Sequence, residues 1–217
     1  MNENQVPEND LPEEIPEEVP KIEEKEEKIP FSRTVFDILE PLIIAVCAVF
    51  LIFMCGVRLC RVDGNSMLNT LHDGESLIVC NWFYEPEMGD IIVFHQTSEK
   101  DLRLNEPIVK RVIATEGQFV LIDAENATVY VSDDEEITEE DALDEPYAYL
   151  EFDRMLDSYG ASGKIMEVPK DCVFVLGDNR NSSTDSRYGV IGFVDQRRIL
   201  GKVILRIAPL EKFGSVG

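Results

Sequence analysis

The sequence predicts a mainly β protein, with an antiparallel β-sheet domain that carries an inserted loop or small subdomain and follows one N-terminal transmembrane helix. Three observations lead to this prediction. Residues 41–57 are apolar and uncharged. After them, short runs rich in β-branched residues recur between turn residues. A later stretch, residues 133–160, is acidic and has neither pattern.

The first segment, residues 1–35, is predicted to be a disordered tail. Its first thirty residues hold eleven acidic and three basic side chains, several prolines and no aromatic residue. Such a composition cannot bury enough apolar surface to offset the entropy lost on ordering.

The apolar run that follows predicts a transmembrane anchor over residues 36–58. A cleaved signal peptide and a buried core helix are the alternatives. No small-x-small cleavage site follows the run, and Met54 precedes Cys55 where a lipoprotein signal needs a small residue. We therefore predict an uncleaved anchor. Positive charges flank it on both sides, so charge alone leaves its orientation open.

The remainder, residues 59–217, is predicted to be one antiparallel β domain interrupted by the acidic insert at about 133–160. Glycines and prolines separate seven predicted strands, at residues 76–80, 90–94, 108–113, 119–122, 128–131, 172–176 and 198–207.

Charge and cysteine content limit the partners of this chain. A formal net charge of −23 disfavours nucleic acid, because a protein binds phosphates with Lys and Arg. No cysteine spacing indicates a metal or redox centre, so we expect no metal and no cofactor. One disulfide among Cys60, Cys80 and Cys172 stays an open alternative.

Ser66 is the first candidate for chemistry. Gly64 leaves backbone space two residues before it, which suits a serine whose hydroxyl and N–H face a substrate. Most serines in glycine-containing turns only make local hydrogen bonds. On this evidence alone, both interpretations remain.

Lys110 is the second candidate. On a strand it shares one face with Ile108 and Val112. A lysine placed in this way either extends its amine to water at an edge or lies in an apolar setting that disfavours its charge. A nearby partner would decide between the two.

The third candidate is the polar stretch 177–187, directly after the predicted strand 172–176. So many donors and acceptors beyond a buried strand indicate a hydrogen-bonded network, with an elaborate turn as the alternative.

These three blocks, in this order, resemble the type I signal peptidases of the bacterial branch. The family's Ser-Met-x-Pro-Thr-Leu box corresponds to residues 66–71, with Asn69 at the proline position. Its Gly-Asp-Ile-Val-Val-Phe segment corresponds to 89–94, and its Lys-Arg-Val box to 110–117. Its Gly-Asp-Asn-Arg-x-x-Ser-x-Asp-Ser-Arg box is matched at every fixed position by 177–187.

The resemblance implies a serine endopeptidase in which Ser66 is the nucleophile, Lys110 is the general base and Ser183 orients the Lys110 amine. It also implies a supporting ion-pair network of Asp178, Asp185 and Arg187. Gly64 stands where some members carry a serine that adds to the oxyanion hole, so more of that task would fall to the Ser66 N–H. No metal or organic cofactor is implied.

The same resemblance implies that the enzyme removes signal peptides from exported preproteins at small-x-small sites. Its other partner would be the lipid bilayer, crossed once, with the tail cytoplasmic and the catalytic domain outside. Three rivals are weighed against it: a catalytic histidine at His72 or His95, a self-cleaving repressor-type protease, and an inactive membrane-tethered scaffold. The sequence around His72 is more typical of a turn than of a catalytic histidine. The repressor-type protease would need a DNA-binding segment. The third would not need Ser66, Lys110 and Ser183 together.

Overall fold

The computed structural model describes residues 31–54, 56–96, 106–152, 155 and 160–216. The chain falls into two compact units, residues 1–44 and 45–217, and the division lies inside a helix. This helix, α1, spans Phe31–Met54 and continues through Pro41.

Helix α1 begins earlier than the predicted anchor. Residues 31–35, assigned to the tail from sequence, instead form its first turns, since no proline or glycine lies between Pro30 and Pro41. Apolar side chains along it are exposed, including Phe36 at 71% and Phe50 at 63%. Among the described residues, no helix has both the length and the apolarity needed to cross a membrane. The anchor at 36–58 stays a prediction, and the tail predicted over residues 1–30 lies outside the described residues.

The main sheet of the second unit contains seven strands: β1 Val57–Arg61, β2 Ser76–Cys80, β3 Ile91–His95, β4 Pro107–Thr115, β8 Cys172–Leu176, β9 Val194–Asp195 and β10 Ile199–Ala208. Their order across the sheet is β1-β2-β10-β3-β4-β8-β9. Every neighbouring pair is antiparallel.

A smaller sheet contains β5 Phe119–Asp123, β6 Thr128–Ser132 and β7 Ile165–Glu167, in the order β6-β5-β7. The acidic insert leaves this sheet after β6 and returns to it at β7. Its described residues contain a short 3₁₀ turn, Glu139–Asp141, and no regular strand. The inserted subdomain is therefore larger than the acidic stretch, because it includes the three strands around it.

The prediction of a mainly antiparallel β domain is confirmed. All seven predicted strands are present, and three further ones, β1, β7 and β9, were not predicted. Val57 and Arg58, assigned to the end of the anchor, instead begin β1 because they pair with Cys80 and Val79 of β2. The disulfide left open from sequence is not formed, since Cys60, Cys80 and Cys172 are free thiols.

Two of the core clusters matter for the site. One packs Met67 and Leu71, which are 1% and 0% exposed, against side chains of the main sheet such as Val79 and Ile91. Full burial of such side chains contributes about 1.5–3 kcal/mol each. The other joins the small sheet to β4 and β8. The loop after β1 and the inserted subdomain are thus both fixed to the main sheet.

Candidate active site

Ser66 lies in the loop that connects β1 to β2. Gly64 has a φ of +87°, a backbone conformation that favours glycine, and its N–H donates to Asp73 Oδ1 at 2.9 Å. The buried side chains of Met67 and Leu71 hold the loop on the other side of Ser66. The turn around Ser66 is therefore fixed by the backbone conformation of Gly64 on one side and by the burial of Met67 and Leu71 on the other.

Lys110 lies on β4, where it pairs across the sheet with Ile92. Its side chain is 3% exposed, and its Nζ lies 2.8 Å from Ser66 Oγ. The Nζ also donates to the Val109 carbonyl at 2.8 Å. The lysine does not extend to water, and the nearby partner that the sequence left undetermined is Ser66.

Burial of the amine lowers the pKa of Lys110 to about 8 from its ordinary value of 10.5. The charges of Asp185 and Asp178 act in the opposite direction and raise the pKa, whereas Arg187 lowers it. Because desolvation outweighs the two carboxylates, a large share of Lys110 is neutral at mildly alkaline pH. A neutral amine at this distance is able to accept the Ser66 proton.

The polar stretch 177–187 contributes Asp178 and Asp185 to two separate buried ion pairs rather than to a single network of three residues. Asp185 accepts from Arg187 Nε and Nη2, both at 2.8 Å. Asp178 instead accepts from Arg111 Nε at 2.9 Å and Nη2 at 2.8 Å. Thr70 Oγ1 donates to the same carboxylate at 2.5 Å, which ties the loop carrying Ser66 to this pair.

Arg111 and Thr70 were not predicted from the sequence as site residues. Both stand inside the family boxes, Arg111 directly after Lys110 and Thr70 four residues after Ser66. Their position in those boxes was the available signal. Their shared partner, Asp178, is distant in sequence from both.

Ser183 is buried at 5% exposure, but its Oγ has no hydrogen-bond partner among the described residues. In particular, no hydrogen bond joins it to Lys110 Nζ. It packs over Gly177, where an added Cβ would meet Ser183 Oγ at 2.1 Å and the Ser66 carbonyl oxygen at 2.5 Å. Gly177 therefore permits the close approach of Ser183 and the Ser66 backbone.

Asn179 hydrogen-bonds to two successive backbone carbonyls, those of Asn65 and Ser66. Its N–H donates to the Ser66 carbonyl and its Nδ2 to the Asn65 carbonyl, both at 3.0 Å. This role of Asn179 was not predicted from the sequence, because it depends on a contact between distant segments.

A cleft of about 140 Å³ opens beside Ser66 and Lys110, with Val62, Met67, Ile108 and Val109 among its lining residues. In the described part of the chain, β4 pairs with β3 over residues 107–111 and with β8 only from Arg111 onward. The second edge of residues 107–110 is therefore unpaired. An extended peptide is able to add to such an edge through backbone hydrogen bonds.

The two histidines have other surroundings. His72 Nδ1 lies 3.2 Å from Lys212 Nζ and 3.6 Å from Glu75 Oε1, and His95 is exposed at the end of β3. Within the described residues, no group of three or more His, Cys, Asp or Glu side chains could hold a metal ion. The titratable side chain beside Ser66 Oγ is therefore a lysine and not a histidine.

Signal peptidases are among the known proteins that this chain resembles. The family profile described as signal peptidase, peptidase S26, matches residues 35–208. A Synechocystis protein described as "Probable signal peptidase I-1" is 36% identical over 162 residues, which cover 72% of this chain and 74% of that protein. A signal peptidase I from Bacillus caldolyticus is 35% identical over 183 residues, or 80% of this chain and 91% of the relative.

Among solved structures, the crystal structure of a signal peptidase I from Enterococcus faecalis is 28% identical. The match covers 55% of this chain and 97% of that one, with a TM-score of 0.39.

Proposed function

This chain belongs to the signal peptidase family, peptidase S26, and on that premise we propose that it cleaves signal peptides from exported preproteins with Ser66 as nucleophile and Lys110 as general base. As a member it is a serine endopeptidase with signal peptidase I function. The observation that carries the assignment of the two residues is the 2.8 Å distance between Lys110 Nζ and Ser66 Oγ inside a buried site.

In the proposed mechanism, neutral Lys110 takes the hydroxyl proton as Ser66 Oγ attacks the carbonyl carbon of the scissile peptide bond. The Ser66 N–H donates to the developing oxyanion. The tetrahedral intermediate then collapses, the C–N bond breaks, and protonated Lys110 gives its proton to the leaving amine. This leaves an acyl-enzyme ester on Ser66. Lys110 next takes a proton from water, whose oxygen attacks the ester carbon. The bond from that carbon to Ser66 Oγ breaks, Lys110 returns the proton to Oγ, and the signal peptide leaves with a free carboxyl end.

The other residues of the site would support this pair. Asp185 accepts from the Gly177 N–H at 3.0 Å, so the Asp185–Arg187 pair holds backbone that lies against Ser66. We assign Asp178 and Asp185 a structural role, in which their ion pairs hold the site in place, and no part in proton transfer. Paired carboxylates and guanidiniums stabilise each other's charge. Ser183 would orient the Lys110 amine after a rotation of its hydroxyl group toward Nζ.

The substrate is proposed to bind as an extended strand on the unpaired edge of residues 107–110. Support comes from the adjoining cleft of about 140 Å³ beside Ser66 and Lys110. The preference for a small residue just before the cut and another two residues earlier comes from the resemblance to the family.

Cleavage of a preprotein by the purified full chain in detergent tests the function. We expect one cut, directly after a small-x-small site. Changing the last residue of that site, the one before the cut, to leucine should prevent cleavage. Ser66→Ala should lose activity by several orders of magnitude, because nucleophile and base act as a unit. Cleavage that survives in folded Ser66→Ala would contradict the assignment of the nucleophile.

We also propose that the chain is anchored once in the cell membrane through the predicted anchor, which ends before β1 begins at Val57, with the tail cytoplasmic and the β domain outside. Support comes from the uncharged sequence 41–57 and from the exposed apolar side chains of α1. Protease added to intact spheroplasts should digest the catalytic domain and spare an epitope placed in the tail. Lysis with detergent should expose both. A protected domain and a digested tail would reverse the topology.

A further inference from the structure

The insert arm, residues 145–149 of the acidic insert, provides the partner of a buried charge beside the site. Arg180 is 1% exposed, and its Nη1 and Nη2 donate to Glu145 Oε2 at 2.6 Å and Oε1 at 2.5 Å. The Glu145 side chain is itself only 8% exposed. A buried guanidinium without a carboxylate is costly, so Glu145 differs in kind from the exposed Glu139 and Glu140 of the same insert.

Tyr147 carries the contact from Glu145 to the strand of the general base. Its hydroxyl donates to Glu145 Oε1 at 2.8 Å. Its ring centre lies 3.9 Å from Cζ of Arg111, a distance at which an aromatic face attracts a guanidinium. Arg111 is the neighbour of Lys110 on β4 and the bidentate partner of Asp178. The ring therefore covers the guanidinium of a buried ion pair.

Backbone hydrogen bonds fix the arm in place. The Tyr149 N–H donates to the Asp178 carbonyl at 2.7 Å, and the Arg180 N–H donates to the Tyr149 carbonyl at 3.0 Å. These two bonds flank Asn179, which holds the Asn65 and Ser66 carbonyls. The arm is thus paired with the segment that clamps the nucleophile.

These contacts reach both members of the catalytic pair. On one side, Asp178, the partner of Arg111, accepts a hydrogen bond from Thr70 in the loop that carries Ser66. On the other side, Arg111 is covalently next to Lys110. The Arg111–Asp178 pair therefore links the loop to β4, and Tyr147 covers the guanidinium of this link.

We propose that the insert arm is part of the catalytic apparatus, with Glu145 and Tyr147 as positioning residues that keep Ser66 and Lys110 in reacting geometry through Arg180, Arg111 and Asp178. The inference rests on the function proposed above. It assigns a role to the acidic insert, which the mechanism does not otherwise use.

Loss of the Tyr147 ring should admit water to the Arg111–Asp178 pair. The groups that face Lys110 are Ser66, Asp178, Asp185 and Arg187. Water in the site reduces the desolvation cost of the charged Lys110 amine. If the contact between Arg111 and Asp178 weakens, more of the Asp178 negative charge also acts on that amine. Both effects raise the Lys110 pKa, whereas a general loss of stability would leave the titration of the folded enzyme unchanged.

The test compares full-length variants in detergent by kcat, KM and Lys110 titration, the last followed by NMR of ¹³C-labelled lysine. Tyr147→Leu should lower kcat roughly 10- to 100-fold with KM unchanged, as expected for misplaced reacting groups, and should move the Lys110 midpoint to higher pH. Tyr147→Phe keeps the ring over Arg111, so its midpoint should stay at the wild-type value.

A matched pair of charge changes tests Glu145. Glu145→Gln should lower kcat roughly tenfold or more. Glu140→Gln, which removes the same charge from an exposed site of the insert, should leave kcat unchanged. Equal effects of these two variants would overturn the inference.

Wild-type kcat and Lys110 midpoint in a folded Tyr147→Leu enzyme would also overturn it. If Tyr147→Leu does not fold, the Glu145 and Glu140 variants decide. Ser66→Ala and the wild-type enzyme are assayed alongside. Should the wild type fail to cleave a preprotein, the proposed function fails, and the NMR comparison of Tyr147→Leu with Tyr147→Phe still decides the role of the arm.

Discussion

Lys110→Met is expected to abolish preprotein cleavage without unfolding the domain. Methionine has a similar length and an apolar end, so it suits a site where Lys110 is 3% exposed. What disappears is the group 2.8 Å from Ser66 Oγ that takes its proton. We expect a fall of roughly 10²- to 10⁴-fold in kcat/KM, the usual contribution of a positioned general base.

The pH dependence of the wild-type enzyme should identify the same group. Below a pH of about 8, Lys110 is mostly protonated and cannot accept a proton, so kcat/KM should rise with pH and level off above that midpoint. Lys110→Arg should stay inactive throughout, because a guanidinium does not deprotonate in this range. An unshifted lysine would instead give a midpoint near 10.5.

The control for both experiments is the melting temperature of each variant, with cleavage measured well below it. Substantial cleavage by folded Lys110→Met would remove the lysine from the mechanism. A wild-type profile retained in that variant would point to another titrating group and return His72 or His95 to consideration.

Gly177→Ala is expected to cause the second large loss of activity. A Cβ at this position would stand 2.1 Å from Ser183 Oγ and 2.5 Å from the carbonyl oxygen of Ser66, closer than real Cβ contacts allow. One neighbour is backbone, so the Ser66 segment itself must move. A displacement of this kind at the reacting atoms should lower kcat roughly 100-fold.

The same polar region offers a matched control for this glycine. At Gly189 an added Cβ would meet no atom within 4 Å, so Gly189→Ala should keep wild-type activity. Gly177→Ala should also lower the free energy of unfolding by about 1–3 kcal/mol, as overpacking does. Normal kcat in Gly177→Ala would show that the Ser66 backbone is free to shift without cost.

The strands were predictable because each is long enough to show its own pattern. Ser76–Cys80 and Thr128–Ser132 alternate between buried and half-buried positions, as their β-branched sequences indicate. Ile165–Glu167 and Val194–Asp195 are too short to carry a period, and Val57–Arg61 continues an apolar run. These three depend on pairing partners elsewhere in the chain, which local sequence does not reveal.

The candidate site divides in the same way. Ser66 and Lys110 were assigned through their boxes, and the structure brings them together. The pairing of Asp178 with Arg111 instead of Arg187 was not predicted. Asp178, Asp185 and Arg187 lie close together in sequence, and only the tertiary fold determines which arginine each aspartate pairs with. Glu145 and Tyr147 lie in an acidic stretch that looks uniformly solvated, and only the packing around Arg180 separates them from their neighbours.

The unpaired edge of β4 also bears on self-association. Open strand edges pair with other open edges, and long flat ones promote aggregation. In the part of the chain that the structure describes, the open stretch covers residues 107–110, since β8 closes the edge from Arg111 onward. Pro107, at its outer end, has no N–H to offer a second chain. The edge is therefore long enough to hold a short extended peptide and too short to template the addition of another copy of the protein.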